Sequence, residues 1–267
     1  MRLKTLLSIV ACGVLLMQAG CAALRPKPAL LPELDDPAAY VRTALNMPER
    51  ASLSGIARIA VTLSGTNRSY KSVFASSYPD LLRLEILGLF NQPALYISAR
   101  SGRDLTLYVP SENAWYAGPA TPESMQRISG IRMNPLDIVR TLHGRPPGPD
   151  PAASRISCAQ DADSYACTLT RDASEQHVWI SPASGTIIRS LLYEDGETVC
   201  DIRYPAFQQV GGMLLPEEVL VIFERSGASL HIRLQSATAD PVDPAKLLLQ
   251  APSEAPVQPI EAFFTAG

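Results

Sequence analysis

Polar and apolar positions alternate with period two over most of the chain. Leu53, Ala57, Ile59, Val61 and Leu63 are interleaved with Ser54, Arg58, Thr62 and Ser64. That is the signature of a strand with one buried and one solvated face. A polar turn, Ser64-Gly65-Thr66-Asn67, leads to a second run over 70–78, with Tyr70, Phe74 and Tyr78 on one face. Pro79-Asp80 turns the chain into a third run carrying Leu82, Leu84 and Ile86, opposite Arg83 and Glu85. Leu95, Ile97 and Ala99 form a fourth, Leu105, Leu107 and Val109 a fifth, and Ala114-Trp115-Tyr116 a short sixth.

The period then lengthens. Thr121-Pro122-Glu123 reads as a helix start, Met125 and Ile128 lie three apart, and Gly130 is a fitting stop. Asn134-Pro135 opens a second helix with Leu136, Val139 and Leu142 on one stripe, ended by Gly144 and a Pro-rich loop over 145–149. Nearer the start, Asp36 can cap a helix with Pro37 in its first turn and Tyr40, Val41, Ala44 and Leu45 on one face; Pro48 ends it. Strands resume over 155–157, 166–170, 177–180, 187–193, 199–204, 218–223 and 230–234. About a dozen strands joined by short turns force antiparallel neighbours. A sheet so broad curls rather than staying flat. The predicted architecture is mainly β: one large, curved antiparallel sheet wrapped on a few helices, spanning 37–250.

The two ends read differently. Arg2 and Lys4 precede an apolar stretch over 6–17, too short to span a bilayer comfortably, and Ala19-Gly20-Cys21 follows. This layout resembles the signal and lipobox of bacterial lipoproteins, apart from Gln18 where that family usually has Leu. The resemblance implies removal of residues 1–20 and acylation of Cys21. Ala22 in place of Asp then implies the outer membrane, on its periplasmic face. An ordinary secreted protein cut near Ala23 is the alternative. Residues 21–36 are Pro-rich and read as a tether, and 251–267 as a Pro-rich tail. No later apolar run reaches the roughly 18 residues of a transmembrane helix.

Composition narrows the functional classes. With 23 Lys and Arg against 26 Asp and Glu in 267 residues, the net charge is -3. No basic excess invites nucleic acid. Three His and five scattered Cys leave little for a metal site. Cys158 and Cys167 flank a turn-rich segment between two strand-like runs. A disulfide there suits an oxidising compartment, with two free thiols as the alternative. Cys200 alternates with Thr198, Ile202 and Tyr204, as a small buried hydrophobe would. No G-x-S-x-G, P-loop, H-E-x-x-H or C-x-x-C motif occurs. His177 and His231 alternate with apolar residues, which puts them on a solvated face. Asp35-Asp36 and Glu217-Glu218 are adjacent pairs, and adjacent carboxylates on a strand point to opposite faces. An enzyme has no residue to rest on, and no cofactor or metal is called for.

With a lipobox-like Cys, a capped helix, a meander of strands, a helical insert and further strands, the chain resembles the LolA/LolB superfamily of periplasmic lipoprotein carriers and receptors. The segments Asp80-Leu81-Leu82-Arg83-Leu84-Glu85-Ile86-Leu87-Gly88, Val178-Trp179-Ile180-Ser181-Pro182-Ala183-Ser184-Gly185 and Leu214-Leu215-Pro216-Glu217 carry the likeness. It implies an unclosed barrel of about eleven strands, with helices lidding a cavity for lipoprotein acyl chains or other lipids. The anchor favours a LolB-like receptor fed by a LolA-like donor. The loop over 145–153 and the tail depart from the family.

The inward face expected for that cavity comprises Ala57, Ile59, Val61, Phe74, Leu84, Ile86, Leu95, Ile97, Leu105 and Leu107, with Val139 and Leu142 as lid residues. All are equally compatible with a filled core. In LolB a loop after the third strand carries an exposed Leu that contacts the membrane. The matching stretch here is 87–93, where Leu89 or Phe90 would take that role; packing of both in the core is the alternative. A structural or regulatory lipoprotein on the same scaffold, binding a protein partner or a different lipid, is the competing function.

Overall fold

The computed structural model describes residues 30–47 and 51–264. Cys21, the leader over 1–20, the tether up to residue 29 and Pro48 lie outside the described residues. The described residues from Pro32 onward form one compact unit.

That unit is built on a single sheet of fourteen strands, ordered β14-β6-β5-β4-β3-β2-β1-β13-β12-β11-β10-β9-β8-β7. The first six strands, β1 (Ser52–Leu63), β2 (Thr66–Ser77), β3 (Leu81–Leu87), β4 (Pro93–Arg100), β5 (Asp104–Val109) and β6 (Ala114–Pro119), form an antiparallel meander. A second meander comprises β7 (Arg155–Asp161), β8 (Ser164–Arg171), β9 (Ser174–Ile180), β10 (Ile187–Glu194), β11 (Glu197–Val210), β12 (Met213–Phe223) and β13 (Ala228–Thr238). The β1–β13 pairing joins them, with a register shift between Ile56 and Ala57. Each strand is longer than its alternating core because polar turn residues still pair at the hairpin ends. The sheet does not close: β7 and β14 are its two edges.

Alternation places one mainly apolar row across this sheet. From β2 to β7 it runs through Arg68, Val61, Leu230, Val221, Ile202, Ser190, Val178, Cys167 and Cys158. Side chains of one parity share a face, so this row defines the inward surface that the helices cover. Cys158 and Cys167 sit directly opposite one another and are joined, with 2.07 Å between sulfurs.

Three helices and a loop supply the cover. Helix α1 (Pro37–Leu45) is capped by Asp36 Oδ1, which accepts from the Ala39 N–H. Its Tyr40 ring meets Tyr165 of β8 edge-on. Helix α2 (Pro122–Ser129) is capped by Thr121 and stopped by Gly130 at φ 76°. That left-handed conformation is cheap only for glycine. Helix α3 (Pro135–Leu142) is capped by Asn134, whose side chain accepts from the Asp137 N–H at 2.8 Å. Past α3 the Pro-rich loop folds inward, and the Pro147 carbonyl accepts from the buried Gln176 amide of β9.

The C-terminal stretch differs from the expected tail. After β13 the chain forms the short helix α4 (Pro244–Leu247) and crosses the outward side of the first meander. Arg83 donates to the Lys246 carbonyl and the Leu249 N–H donates to Ser98 Oγ. It then pairs with β6 as β14 (Val257–Pro259), the one parallel pairing among the described strands. Ile260, buried in a 3-10 turn, packs with Leu105, Leu107, Tyr116 and Met125. Proline tolerates an edge strand whose N–H side is unpaired, so the prolines that read as tail are compatible with a sheet edge.

Candidate functional site

Between the sheet and its partial helical cover lies a cavity of about 730 Å3. That falls within the roughly 300–1,000 Å3 of small-molecule sites. The floor comes from alternate residues of β1–β4 and β13, and the roof from α2, the segment after it, and α3. Helices of only eight residues each are too short to cover so broad a face, and the uncovered remainder is the cavity. The wall is overwhelmingly apolar. Its polar side chains are Thr66, Arg68, Tyr70, Arg127 and Ser129, with no carboxylate, histidine or cysteine among the lining residues. Nothing in it resembles an acid/base or nucleophilic constellation. Among the described residues no group of three or more His, Cys, Asp or Glu is placed to hold a metal.

Of the residues expected inward, Ala57, Ile59, Val61, Phe74, Leu84, Ile86, Leu95, Ile97 and Leu142 line this cavity. Leu105, Leu107 and Val139 do not. All three are fully buried, and Leu105 and Leu107 fill the core beneath Met125 and Ile260. Their inward parity is as expected, but other side chains stand above them where the cavity was placed. Sequence reasoning also omitted Leu63, Leu230 and Ile232 of β1 and β13, and Ile128, Ile131 and Ile138 of the helical insert, all of which line the wall. The alternation of β13 and the apolar spacing of the insert were the available signals.

The β3–β4 loop is well defined and presents Leu89 and Phe90 at 95% and 87% exposure. Gly88 N–H donates to the Gln92 carbonyl and Asn91 N–H to that of Gly88. Phe90 N–H donates to Gln92 Oε1, and Lys71 Nζ to Asn91 Oδ1. The two apolar side chains are thus held outward by a hydrogen-bonded turn, and the core-packing alternative does not hold. Ile86, Ala94 and Leu95, which flank the loop, also line the cavity, so the loop stands at the cavity rim.

Beneath α3 lies a second, titratable cluster. His143 is buried, and burial together with the Arg145 guanidinium holds it down to about 4 from 6.5. Asp137 is raised from 3.8 to about 6 by burial, partly opposed by Arg140. The buried Cys200 thiol is pushed up to about 12 by burial and neighbouring carboxylates. It behaves as an inert small hydrophobe. His177 and His231 lie half-exposed against Glu175 and Glu218.

The signs of the two shifts oppose. His143 favours the fold above its unfolded value of 6.5, and that stability is lost as pH falls through about 4. Asp137 favours the fold below 3.8, and that stability is lost as pH rises through about 6. We expect Asp137→Asn to leave a stability that rises from pH 4 to 6.5, and His143→Gln one that falls over the same range. Urea midpoints at pH 4, 5, 6 and 7 check both slopes. Parallel profiles for both variants and the parent would refute the assignment.

Comparison with known proteins bears on the fold. No family model matches the sequence, and no curated protein matches it. Solved structures do. A DUF1329 family protein from Desulfovibrio piger aligns at TM-score 0.58 and 15% identity, over 80% of this chain and 98% of that one. A domain from Vibrio parahaemolyticus, provisionally described as an outer membrane lipoprotein-sorting protein, aligns at 0.54 and 11%, over 79% and 94%. A LolA superfamily protein from Nitrosomonas europaea aligns at 0.54 and 12%, over 81% and 99%. The chain therefore has the LolA/LolB-like fold, an unclosed, mainly antiparallel sheet around an apolar interior. Among the described residues no helix is long and apolar enough to cross a membrane.

Proposed function

We propose that this chain is an outer-membrane lipoprotein, anchored through Cys21, that takes acyl chains of lipoproteins or other lipids into its cavity and assists their insertion. The observation that carries the reading is the cavity: about 730 Å3 with a predominantly apolar wall. Seating an alkyl chain there is favourable by about 0.8 kcal/mol per buried CH2, and no catalytic group is needed. The architecture of the Vibrio and Nitrosomonas proteins supports the same reading, with a LolA-like carrier as donor.

Residues 22–267 retain the whole compact unit. Purified and extracted for mass spectrometry, this chain should release near-stoichiometric lipid or fatty acid. A lipid-free protein that also fails to bind an apolar dye would remove the carrier reading.

Leu89 and Phe90 would enter the periplasmic leaflet of the outer membrane as the ligand is delivered. Burying one Leu or Phe side chain is worth about 1.5–3 kcal/mol. Replacing both with Asp should therefore weaken co-sedimentation with phospholipid vesicles by at least about tenfold, with an unchanged thermal midpoint. Undiminished vesicle binding by the double variant would assign the loop elsewhere.

A further inference from the structure

The charge on the cavity wall is unevenly placed. Arg68 and Arg127 are its charged side chains, and both are exposed. Neither forms an ion pair among the described residues, whereas Arg132, close by in sequence, closes on Glu123. Arg127 in the last turn of α2 has an ordinary explanation, since a cation there complements the helix C-terminus. Arg68 has none. It shares a face of β2 with Phe74 and Tyr70, the inward face, and pairs directly with the apolar Val61 of β1. An inward arginine is tolerated when its stem covers apolar surface and its head reaches water at an opening.

The two arginines converge on one end of the cavity. Leu63 of β1 pairs with Thr66 of β2, two positions from Arg68 on the same face. Gly130, three residues beyond Arg127, is packed on that same Leu63: a Cβ at Gly130 would fall 2.2 Å from Leu63 Cδ1. The end of the helix that carries Arg127 is therefore seated on the hairpin that carries Arg68.

We propose that the cavity receives an anionic amphiphile, its chain along the apolar wall and its carboxylate or phosphate headgroup at the mouth between Arg68 and Arg127. The proposal rests on the acyl-binding reading above and adds the headgroup to it. A guanidinium offers a rigid fork of donors that matches either anion. A seated chain excludes water from one side of the mouth, where such bonds are stronger than on open surface. The headgroup then decides which lipids are accepted, while the chain supplies most of the affinity.

The test uses residues 22–267 and three probes: the fluorescent fatty acid cis-parinaric acid, its uncharged methyl ester, and lysophosphatidic acid as competitor. Changing Arg68→Gln and Arg127→Gln together should weaken the acid by about tenfold or more. The ester should remain within about twofold, because its only lost contact is packing. Arg68→Lys with Arg127→Lys should restore most of the loss. In the parent, salt should weaken the acid and not the ester, a readout that needs no variant. Stronger competition by lysophosphatidic acid than by the fatty acid identifies phosphate as the preferred head, and weaker competition identifies carboxylate; both sustain the anionic class. Equal binding of acid and ester, insensitive to salt and to both arginines, would overturn the headgroup site and leave the acyl cavity standing. Binding of neither probe to the parent would overturn the acyl-binding reading and this proposal with it.

Discussion

Ile59→Glu is expected to abolish binding of apolar ligands while leaving the protein folded. Ile59 lies on the inward face of β1, between Tyr70 of β2 and Ile232 of β13, and on the cavity wall. It is only partly buried, so in the empty protein a carboxylate there keeps its water. Seating an alkyl chain strips that water away, and an unpaired charge loses several kcal/mol in the exchange. The affinity for an apolar dye, or for either form of parinaric acid, should fall by at least about 100-fold. Unlike the arginine changes, this one should act on acid and ester alike. Fluorescence titration with a thermal melt as control checks it, and retained binding by a folded variant would place the ligand outside this cavity. Leu107→Ala makes the contrast. With no cavity above it, this residue should cost about 2–5 kcal/mol of stability and little affinity.

Gly55→Val should destabilise the fold severely. A Cβ on Gly55 would stand 2.0 Å from the Ser236 carbonyl oxygen and 2.9 Å from Ala237 Cα. These are backbone atoms of the neighbouring strand and cannot turn aside as a side chain can. Gly55 sits beside the register shift in the β1–β13 pairing, and that pairing is the one link between the two meanders in the sheet order. The clash must be relieved by separating the strands there. The expected loss is about 3–5 kcal/mol, a large part of the roughly 5–15 kcal/mol that holds a domain together. Circular dichroism melts of Gly55→Val and the milder Gly55→Ala give the measurement. A Gly55→Val midpoint equal to that of the parent would show that the seam can widen freely.

How far the sequence reveals this molecule depends on the range of the interaction involved. The hairpin strands, the Asp36, Thr121 and Asn134 caps and the Gly130 stop are local, and each is legible from a few neighbouring residues. Alternation also puts Ile59, Phe74 and Ile97 on the inward face correctly. It does not say what stands above that face, which is why Leu105 and Leu107 could not be told from cavity wall. Ile260, which covers them, arrives from far along the chain. The β14 pairing was hidden for the same reason, since a three-residue parallel strand beside prolines has no alternation to detect. Arg68 was missed because a charged residue in an alternating run reads as outward. Its shared parity with Tyr70 and Phe74 was the signal available.

The seam between β1 and β13 also has a consequence in time. Ser54 and Thr238 meet across it, 184 residues apart in sequence. Strands β2 to β5 can find both neighbours within a few tens of residues as the chain emerges. β1 cannot: once β2 has paired with it, its second edge stays open until residues 228–238 become available. An unpaired edge on a long, partly apolar strand is a template for pairing with other chains, and closing so distant a contact is slow. The interval between completion of the first meander and arrival of β13 is thus when a nascent chain is most exposed to aggregation.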